Sequence, residues 1–119
     1  MEEDNLDIEI WLKRFKQSWI DKDIKTILDL FSEDVEYWET PFKKLNFQDI
    51  KKQWEEIKLQ TNIGIDLRMF NKEKNNFTVI WKLNFQDKSD AENFYEGVYL
   101  ISLNHQGKCN YFFQCCEEH

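Results

Sequence analysis

The sequence is poor in residues that interrupt regular structure or bind metals, with three glycines, one proline and two histidines among 119 residues. Scarce glycine and proline argue against long irregular loops, so we expect most of the chain to form helices and strands. Because His105 falls in a predicted turn and His119 is the last residue, no spacing typical of a zinc site is present. We therefore predict neither a metal nor another cofactor.

The three cysteines do not suggest a disulfide framework. Cys109 and Cys115 share one strand face but lie roughly 20 Å apart at ordinary strand rise, which is too far to bridge, while Cys116 points to the opposite face from Cys115. No apolar run approaches the about 18 residues of a membrane span. The first four residues, Met1-Glu2-Glu3-Asp4, include three acidic ones where a signal peptide is basic. We expect a cytoplasmic protein with reduced thiols and no membrane partner.

The net charge and the aromatic content limit the possible functions and partners further. A net charge of −7 argues against a nucleic-acid partner, which would require a basic face. Hydrophobic residues make up 41% of the chain and aromatic residues 16%, including ten phenylalanines and five tryptophans. This length and composition predict one domain over residues 1–119 with a substantial apolar core.

Apolar periodicity divides the chain into a helical half and a strand half. Helical spacing runs over 6–20, 24–31 and 47–59, with a strand at 35–40 and a short strand at 42–45 between the last two helices. After Thr61 the period changes to two, which predicts four long antiparallel strands. The predicted fold class is α+β: a cone-shaped, curved antiparallel sheet with three N-terminal-half helices over its concave face.

The last two predicted strands form a hairpin around residues 104–107. A four-residue loop would place Gly97 opposite Gln114 and Tyr99 opposite Phe112. Both faces of this hairpin are apolar, and both therefore require cover. One face is predicted to form a pocket floor under the helices. The other, which we call the outer face, is predicted to form a homodimer through Ile80, Val98, Leu100, Tyr111 and Phe113.

Short matches to one known pattern are spread over nearly the whole chain. They are Asp23-Ile24 with Leu30-Phe31-Ser32-Glu33-Asp34-Val35, Tyr37 with Thr40-Pro41-Phe42, Asp49-Ile50 with Trp54, Leu103-Asn104-His105-Gln106-Gly107-Lys108-Cys109, and Phe112. By these residues the chain resembles the nuclear transport factor 2-like superfamily, in its SnoaL-like and ketosteroid-isomerase-like branch. The resemblance implies a cystatin-like α+β barrel. It implies no single activity, because the superfamily includes several enzyme classes and non-enzymatic adaptors.

The resemblance supplies no complete catalytic set. The position of the tyrosine that donates to the oxyanion in ketosteroid isomerases resembles Phe15, which has no hydroxyl. The position of their general-base aspartate resembles Thr40, which is no base at neutral pH. Their second oxyanion donor, a protonated aspartate, aligns with Tyr99, and Gln114 stands where SnoaL-like relatives often carry glutamate. We therefore name no catalytic residue.

Ten residues are predicted to line a pocket if the concave face follows the resemblance. They are Phe15, Trp19, Trp38, Thr40, Trp54, Trp81, Phe85, Tyr99, Phe112 and Gln114. The alternative is that these aromatic side chains fill the core and leave no cavity. Gln114 is the most informative of them, because a buried amide on an apolar face requires a partner from the protein or from a ligand.

Three functions remain open from the sequence. The leading hypothesis is a protein that binds a small apolar or aromatic ligand in an aromatic pocket. The second is an isomerase, dehydratase or cyclase acting on a small apolar carbonyl compound, with Tyr99 and Gln114 as polarising donors. The third is a protein-binding adaptor that uses the outer face. The residues do not decide whether any reaction is catalysed.

Overall fold

The computed structural model describes residues 3–118, and side chains from residue 8 to residue 118. Within this range the helices are α1 (Glu3–Ile20), α2 (Ile24–Asp29) and α3 (Phe47–Glu55), and α3 continues into a 3₁₀ turn (Glu56–Leu59). The strands are β1 (Phe31–Thr40), β2 (Lys43–Leu45), β3 (Thr61–Glu73), β4 (Asn76–Gln86), β5 (Glu92–Leu103) and β6 (Cys109–Glu118). No described helix is both long enough and apolar enough to cross a membrane.

The six described strands form one curved, unclosed sheet in the order β2-β1-β6-β5-β4-β3. Every neighbouring pair is antiparallel except β1 and β6, which run parallel. Alternate residues of β4 are buried, namely Phe77, Val79, Trp81 and Leu83. This face packs toward the helices, so the predicted α+β class with helices over a concave sheet is confirmed. The parallel β1–β6 pair is a departure from the all-antiparallel expectation.

Helix α2 ends earlier than its apolar spacing predicts. The Leu30 carbonyl oxygen accepts a hydrogen bond from Trp11 Nε1 at 2.9 Å and another from the Cys109 amide at 2.8 Å. These two donors come from α1 and β6, so they hold the chain against the sheet instead of allowing another helical turn. Phe31 consequently begins β1 opposite Cys109. The predictions of a helix through residue 31 and a strand starting at residue 35 were wrong.

The β5–β6 hairpin has a longer loop than predicted. Asn104 Oδ1 accepts hydrogen bonds from the amides of Gln106 and Lys108, which stabilises a five-residue loop between Leu103 and Cys109. The register then shifts by one further residue immediately after this pair. Together the longer loop and the irregularity displace the strand pairing by two residues. An even displacement leaves every side chain on its predicted face.

The displaced register changes the neighbours of Gly97. Gly97 lies opposite Cys116, and Tyr99 lies opposite Gln114, so the predicted pairs of Gly97 with Gln114 and Tyr99 with Phe112 were wrong. A Cβ atom on Gly97 would lie 2.2 Å from the Cys115 carbonyl oxygen and 2.7 Å from the Cys116 Cβ. Gly97 therefore allows β5 and β6 to approach closely, and it does not make space for Gln114.

We expect Gly97→Ala to lower the free energy of unfolding by about 1–3 kcal/mol, because its new methyl group would overlap the backbone of β6. Gly64→Ala is the matched control, since its Cβ would meet only the side chain of the exposed Asn84, which can rotate away. Urea denaturation followed by circular dichroism measures both variants. Equal stability of the two variants would contradict the close approach at Gly97.

Candidate functional site

The helices and the sheet meet at a cluster of aromatic rings centred on Phe15. Phe15 is fully buried on α1, and its ring contacts five others. Their centroids lie 5.0 Å away for Trp11, 5.4 Å for Trp54, 5.6 Å for Trp19, 5.8 Å for Tyr99 and 6.2 Å for Phe112. Aromatic pairs at such distances stabilise the core beyond their burial. The cluster ties α1 and α3 to the middle strands of the sheet.

A cavity of about 240 Å³ lies beside this cluster, between the helices and the sheet. It is lined by Trp19, Tyr37, Gln53, Trp54, Glu56, Ile57, Gln60, Trp81, Leu83, Phe85, Tyr95, Gln114 and Cys116. Glu56 and Cys116 are exposed, so they mark the mouth. The structure thus has an open pocket beside its aromatic core, whereas the centre of the core is filled by rings such as Phe15, Tyr99 and Phe112.

A second depression, of about 610 Å³, lies beside α2. Its wall includes several charged side chains, among them Asp23, Lys25, Asp29 and Lys108. Lys108 Nζ lies 3.2 Å from Asp29 Oδ1, so part of this charge is already paired. The first cavity is the better candidate site, because ligand pockets are usually lined by apolar and aromatic side chains.

The ten residues predicted for the pocket fall into three places. Five line the cavity, namely Trp19, Trp54, Trp81, Phe85 and Gln114. Phe15, Tyr99 and Phe112 are almost completely buried in the aromatic cluster and lie behind the cavity wall. Tyr99 stacks on Trp81 with ring centroids 5.0 Å apart, so the Trp81 ring covers it.

Trp38 and Thr40 were wrongly placed on the concave face. The parallel pairing of β1 with β6 sets Tyr37 opposite the buried Phe112, so Tyr37 is the inward residue and Trp38 faces outward. Trp38 Nε1 donates to Glu36 Oε2 at 2.9 Å, and exposed Thr40 accepts a hydrogen bond from the Phe42 amide. Their alternation could not indicate which face is buried until the partner strand of β1 was known.

A chain of hydrogen bonds forms the polar side of the cavity. The Tyr37 hydroxyl donates to Gln53 Oε1 at 2.7 Å, and Gln53 Nε2 donates to Glu39 Oε2 at 2.7 Å. Glu39 also pairs with Lys43 at 3.3 Å. Gln114 Nε2 donates to the Glu39 carbonyl oxygen at 3.2 Å. The Gln114 amide nitrogen therefore has a partner within the protein, which was one of its two predicted environments.

Four of the five tryptophans have partners for their indole N–H groups within the described residues. Trp11, Trp19 and Trp38 donate respectively to Leu30, Gln60 and Glu36, each at 2.9 Å. Trp54 Nε1 is buried and interacts with the Tyr37 hydroxyl, and Trp81 Nε1 is buried without a hydrogen bond to any described residue. Both of these residues line the cavity. Buried donors are usually paired, so the Trp81 indole is an exception among the described tryptophans.

Burial keeps the ionisable groups of the inner wall neutral. Desolvation raises the pKa of the buried Tyr37 and Tyr99 phenols, although the nearby Trp54 indole lowers that of Tyr37. Desolvation also raises the pKa of the Cys116 thiol at the mouth. Glu56 is the one carboxylate among the lining residues, and none of these residues is lysine, arginine or histidine. The described residues also contain no group of three metal-ligating side chains.

Comparison by sequence finds nothing similar: no protein-family model matches the chain, and no curated protein does. Solved structures do match it. A nuclear transport factor 2-like protein from Exiguobacterium sp. 255-15 has a TM-score of 0.72 at 15% identity, over 90% of this chain and 98% of that chain. The chain has the nuclear transport factor 2-like fold.

Two further structures with this fold are an enzyme and a protein with a bound ligand. The Δ5-3-ketosteroid isomerase from Mycobacterium sp. has a TM-score of 0.79 at 9% identity, over 95% of this chain and 98% of that chain. A Mycobacterium tuberculosis protein in complex with estradiol-17β-hemisuccinate has a TM-score of 0.78 at 12% identity, over 91% of this chain and 92% of that chain. At such identities the likeness establishes the fold, and function has to be argued from the cavity itself.

We expect Tyr37→Phe to lower the free energy of unfolding by about 0.5–1.5 kcal/mol, the usual net value of one hydrogen bond. The reason is that Gln53 Oε1 would lose the donor that orients it. Tyr111→Phe is the control, because Tyr111 is half-buried on the outer face, away from the cavity. Urea denaturation at pH 7 compares the two. An equal loss in both variants would contradict an ordering role for the Tyr37 hydroxyl.

Proposed function

We propose that this protein binds a small, ring-shaped apolar ligand in the cavity between helices and sheet. The observation that carries the proposal is an opening of about 240 Å³ walled by the rings of Trp19, Trp54, Trp81 and Phe85. A cavity of about 150 Å³ is enough to hold benzene, so this one suits a ligand of roughly one or two fused rings. Flat aromatic walls favour flat ligands, since ring faces then stack in contact.

The structural comparisons support a ligand-binding role. A protein of the same fold holds estradiol-17β-hemisuccinate, and another is a ketosteroid isomerase. The ligand of the first and the substrate of the second are ring compounds, which agrees with the aromatic lining of this cavity. The low identities mean that the particular ligand has to come from the residues of this chain.

The positions of Tyr99 and Gln114, the two donors that an enzyme would use to polarise its substrate, favour binding over catalysis. Tyr99 lies beneath the Trp81 ring, and the amide nitrogen of Gln114 already bonds the Glu39 backbone. An isomerase, dehydratase or cyclase is the second candidate, because Glu56 offers one carboxylate at the cavity. Turnover of a bound ketone that Glu56→Gln abolishes would establish the enzyme in place of the binding protein.

We expect Cys116→Trp to abolish ligand binding, because the bulky side chain would fill the cavity mouth. The probes are indane and 1-indanone, in which a carbonyl group replaces one methylene group of indane. Nuclear magnetic resonance of the five indole N–H groups reads out their binding, with Trp19, Trp54 and Trp81 expected to shift and Trp38 to stay unchanged.

Cys115→Trp is the matched control for this experiment. Cys115 is the neighbouring residue of the same strand and pairs with Val98 on the outer face, so a tryptophan there leaves the cavity open. We expect it to bind the probes as the unchanged protein does. Absence of probe binding to the unchanged protein, or equal binding by both variants, would refute the proposed site.

We also propose that the outer face forms a homodimer, within a cytoplasmic protein of one domain. Val98 lies beside Ile80 on β4, and Leu100 lies beside Phe113 on β6, so these side chains form one patch. Leu100 is 38% exposed, and the other members, Tyr111 included, are half-buried in the single chain. A second copy would remove this apolar patch from water.

We expect Leu100→Glu to convert a dimer into a monomer, because it places a charge in the centre of the apolar patch. Analytical ultracentrifugation at micromolar concentration measures the mass in solution. Phe42→Glu is the control, since Phe42 is 95% exposed in the turn between β1 and β2. A monomeric mass for the unchanged protein would refute the dimer, and so would dimers of Leu100→Glu that persist at the same concentration.

A further inference from the structure

The sheet has two edges of very different length. On one side it ends in β2, which has three residues, and on the other side it ends in β3, which has thirteen. Strand β3 pairs with β4 along one side, and no described residue forms a backbone hydrogen bond with its other side. An edge of this length presents a row of unpaired amide and carbonyl groups that can pair with a strand of another chain.

The regular part of the β3 edge spans residues 64–69. Its register with β4 shifts on either side of this range, between Thr61 and Gly64 and between Met69 and Asn71. Within the range all six residues have a direct partner on β4, which is the length of an ordinary strand. A further strand can therefore pair with this stretch in regular antiparallel register.

The charges on this stretch continue a row that crosses the sheet. Asp66 lies opposite Lys82 on β4, and Lys82 lies opposite Glu96 on β5, with Lys82 Nζ 3.8 Å from Glu96 Oε1. The row thus alternates negative, positive, negative and ends at Asp66. Asp66 and Arg68 are both exposed, and neither forms a salt bridge with a residue that the structure describes. A positive side chain just beyond the edge would extend the alternation.

A second copy of the same strand supplies that positive side chain. Charged residues on a sheet edge usually prevent association, but Asp66 and Arg68 have opposite signs and lie two residues apart. A two-fold axis at Leu67 sets Asp66 of each copy opposite the partner's Arg68, and it sets Leu67 opposite the partner's Leu67. On the same face as Leu67, Ile65 then meets the partner's Met69. An axis at Asp66 or at Arg68 would instead set that charge opposite itself.

Phe70 and Gly64 flank this centre in a matching way. Phe70 is 71% exposed and has no direct partner on β4. The two-fold axis at Leu67 places Phe70 beside the partner's Gly64, which has no side chain of its own. An aromatic ring laid beside a glycine of the neighbouring strand stabilises a sheet, because it covers backbone that the glycine leaves exposed. The same pairing would therefore remove an exposed ring from water.

We propose that the β3 edge pairs antiparallel with β3 of a second copy of this chain, about a two-fold axis at Leu67, and joins two six-stranded sheets into one of twelve strands. This contact uses a different surface from the outer face and does not depend on the cavity, so it goes beyond the proposed function. Interfaces much smaller than the standard size are weak, so we expect the edges to associate only between about 0.1 and 1 mM.

Reversing one charge at a time tests the pairing. The test uses the Leu100→Glu variant, in which the outer face no longer associates, and sedimentation equilibrium measures the mass up to about 1 mM. Arg68→Asp makes both edge charges negative, and Asp66→Arg makes both positive. Each added change should weaken self-association about tenfold, because like charges then lie directly opposite each other. Lys72→Asp is the matched control, since it makes the same change of charge outside residues 64–69, and it should have little effect.

Mixing the two reversed variants gives the decisive result. An acidic edge from Arg68→Asp then meets a basic edge from Asp66→Arg, so the mixture should associate as the unreversed edge does. The general charge of the protein cannot explain such a recovery, because each variant alone fails to associate. A mixture that stays monomeric would refute the two-fold pairing, and so would equal self-association of both variants and the control.

Nuclear magnetic resonance locates the contact without any change to β3. In the Leu100→Glu variant, the backbone amide resonances of residues 65–69 should shift as the concentration rises from about 0.1 to 1 mM, and those of β2 should not. Shifts confined to β5 and β6 would show that the copies still meet through the outer face, and would overturn the proposal. A mass of one chain at every concentration up to about 1 mM would overturn it as well.

Discussion

The packing of Phe15 against five other aromatic rings is the interaction on which the rest of the structure depends. It joins α1 to α3 through Trp54 and to the sheet through Tyr99 and Phe112. The same rings separate the core from the cavity, because Trp54 contacts Phe15 and also lines the opening. A change that displaced Phe15 would therefore alter the fold and the site together. This shared wall explains why the cavity is surrounded by elements that are far apart in the sequence.

The second constraint is the attachment of β1 to β6. Helix α2 stops where the Leu30 carbonyl oxygen accepts two hydrogen bonds from other elements. The parallel pairing of β1 with β6 that follows turns Tyr37 toward the core. Tyr37 then orients Gln53, and Gln53 holds the Glu39 carboxylate. The polar side of the cavity is thus a consequence of where one short helix stops. Local helix propensity does not determine that point, since both donors come from other elements.

The same distinction explains what the sequence could predict. Periods of two and of 3.6 residues report burial, so they predicted the fold class. Together with the family resemblance they also pointed to five residues that line the cavity, including Trp19, Trp81 and Phe85. The predicted faces of the β5–β6 hairpin were correct although the predicted register was wrong, because the strand pairing is displaced by an even number of residues. Trp38 and Thr40 were misplaced because the inward face of β1 depends on a partner 75 residues away, as in the pair Glu36 and Tyr111. Gln53 and Gln60 looked like ordinary polar positions near the end of a helix, and only their tertiary partners give them a role.

An aromatic core also accounts for the presence of a cavity at all. Flexible aliphatic or methionine side chains tend to adapt to irregular space, whereas indole and phenol rings are rigid and pack edge-to-face. Trp19 and Trp54 meet at 89° with centroids 4.8 Å apart, and Phe15 and Trp54 meet at 86°. Perpendicular rings of this size cannot collapse into a gap without losing contacts on another side. The same rigidity that fixes the core therefore keeps the cavity open.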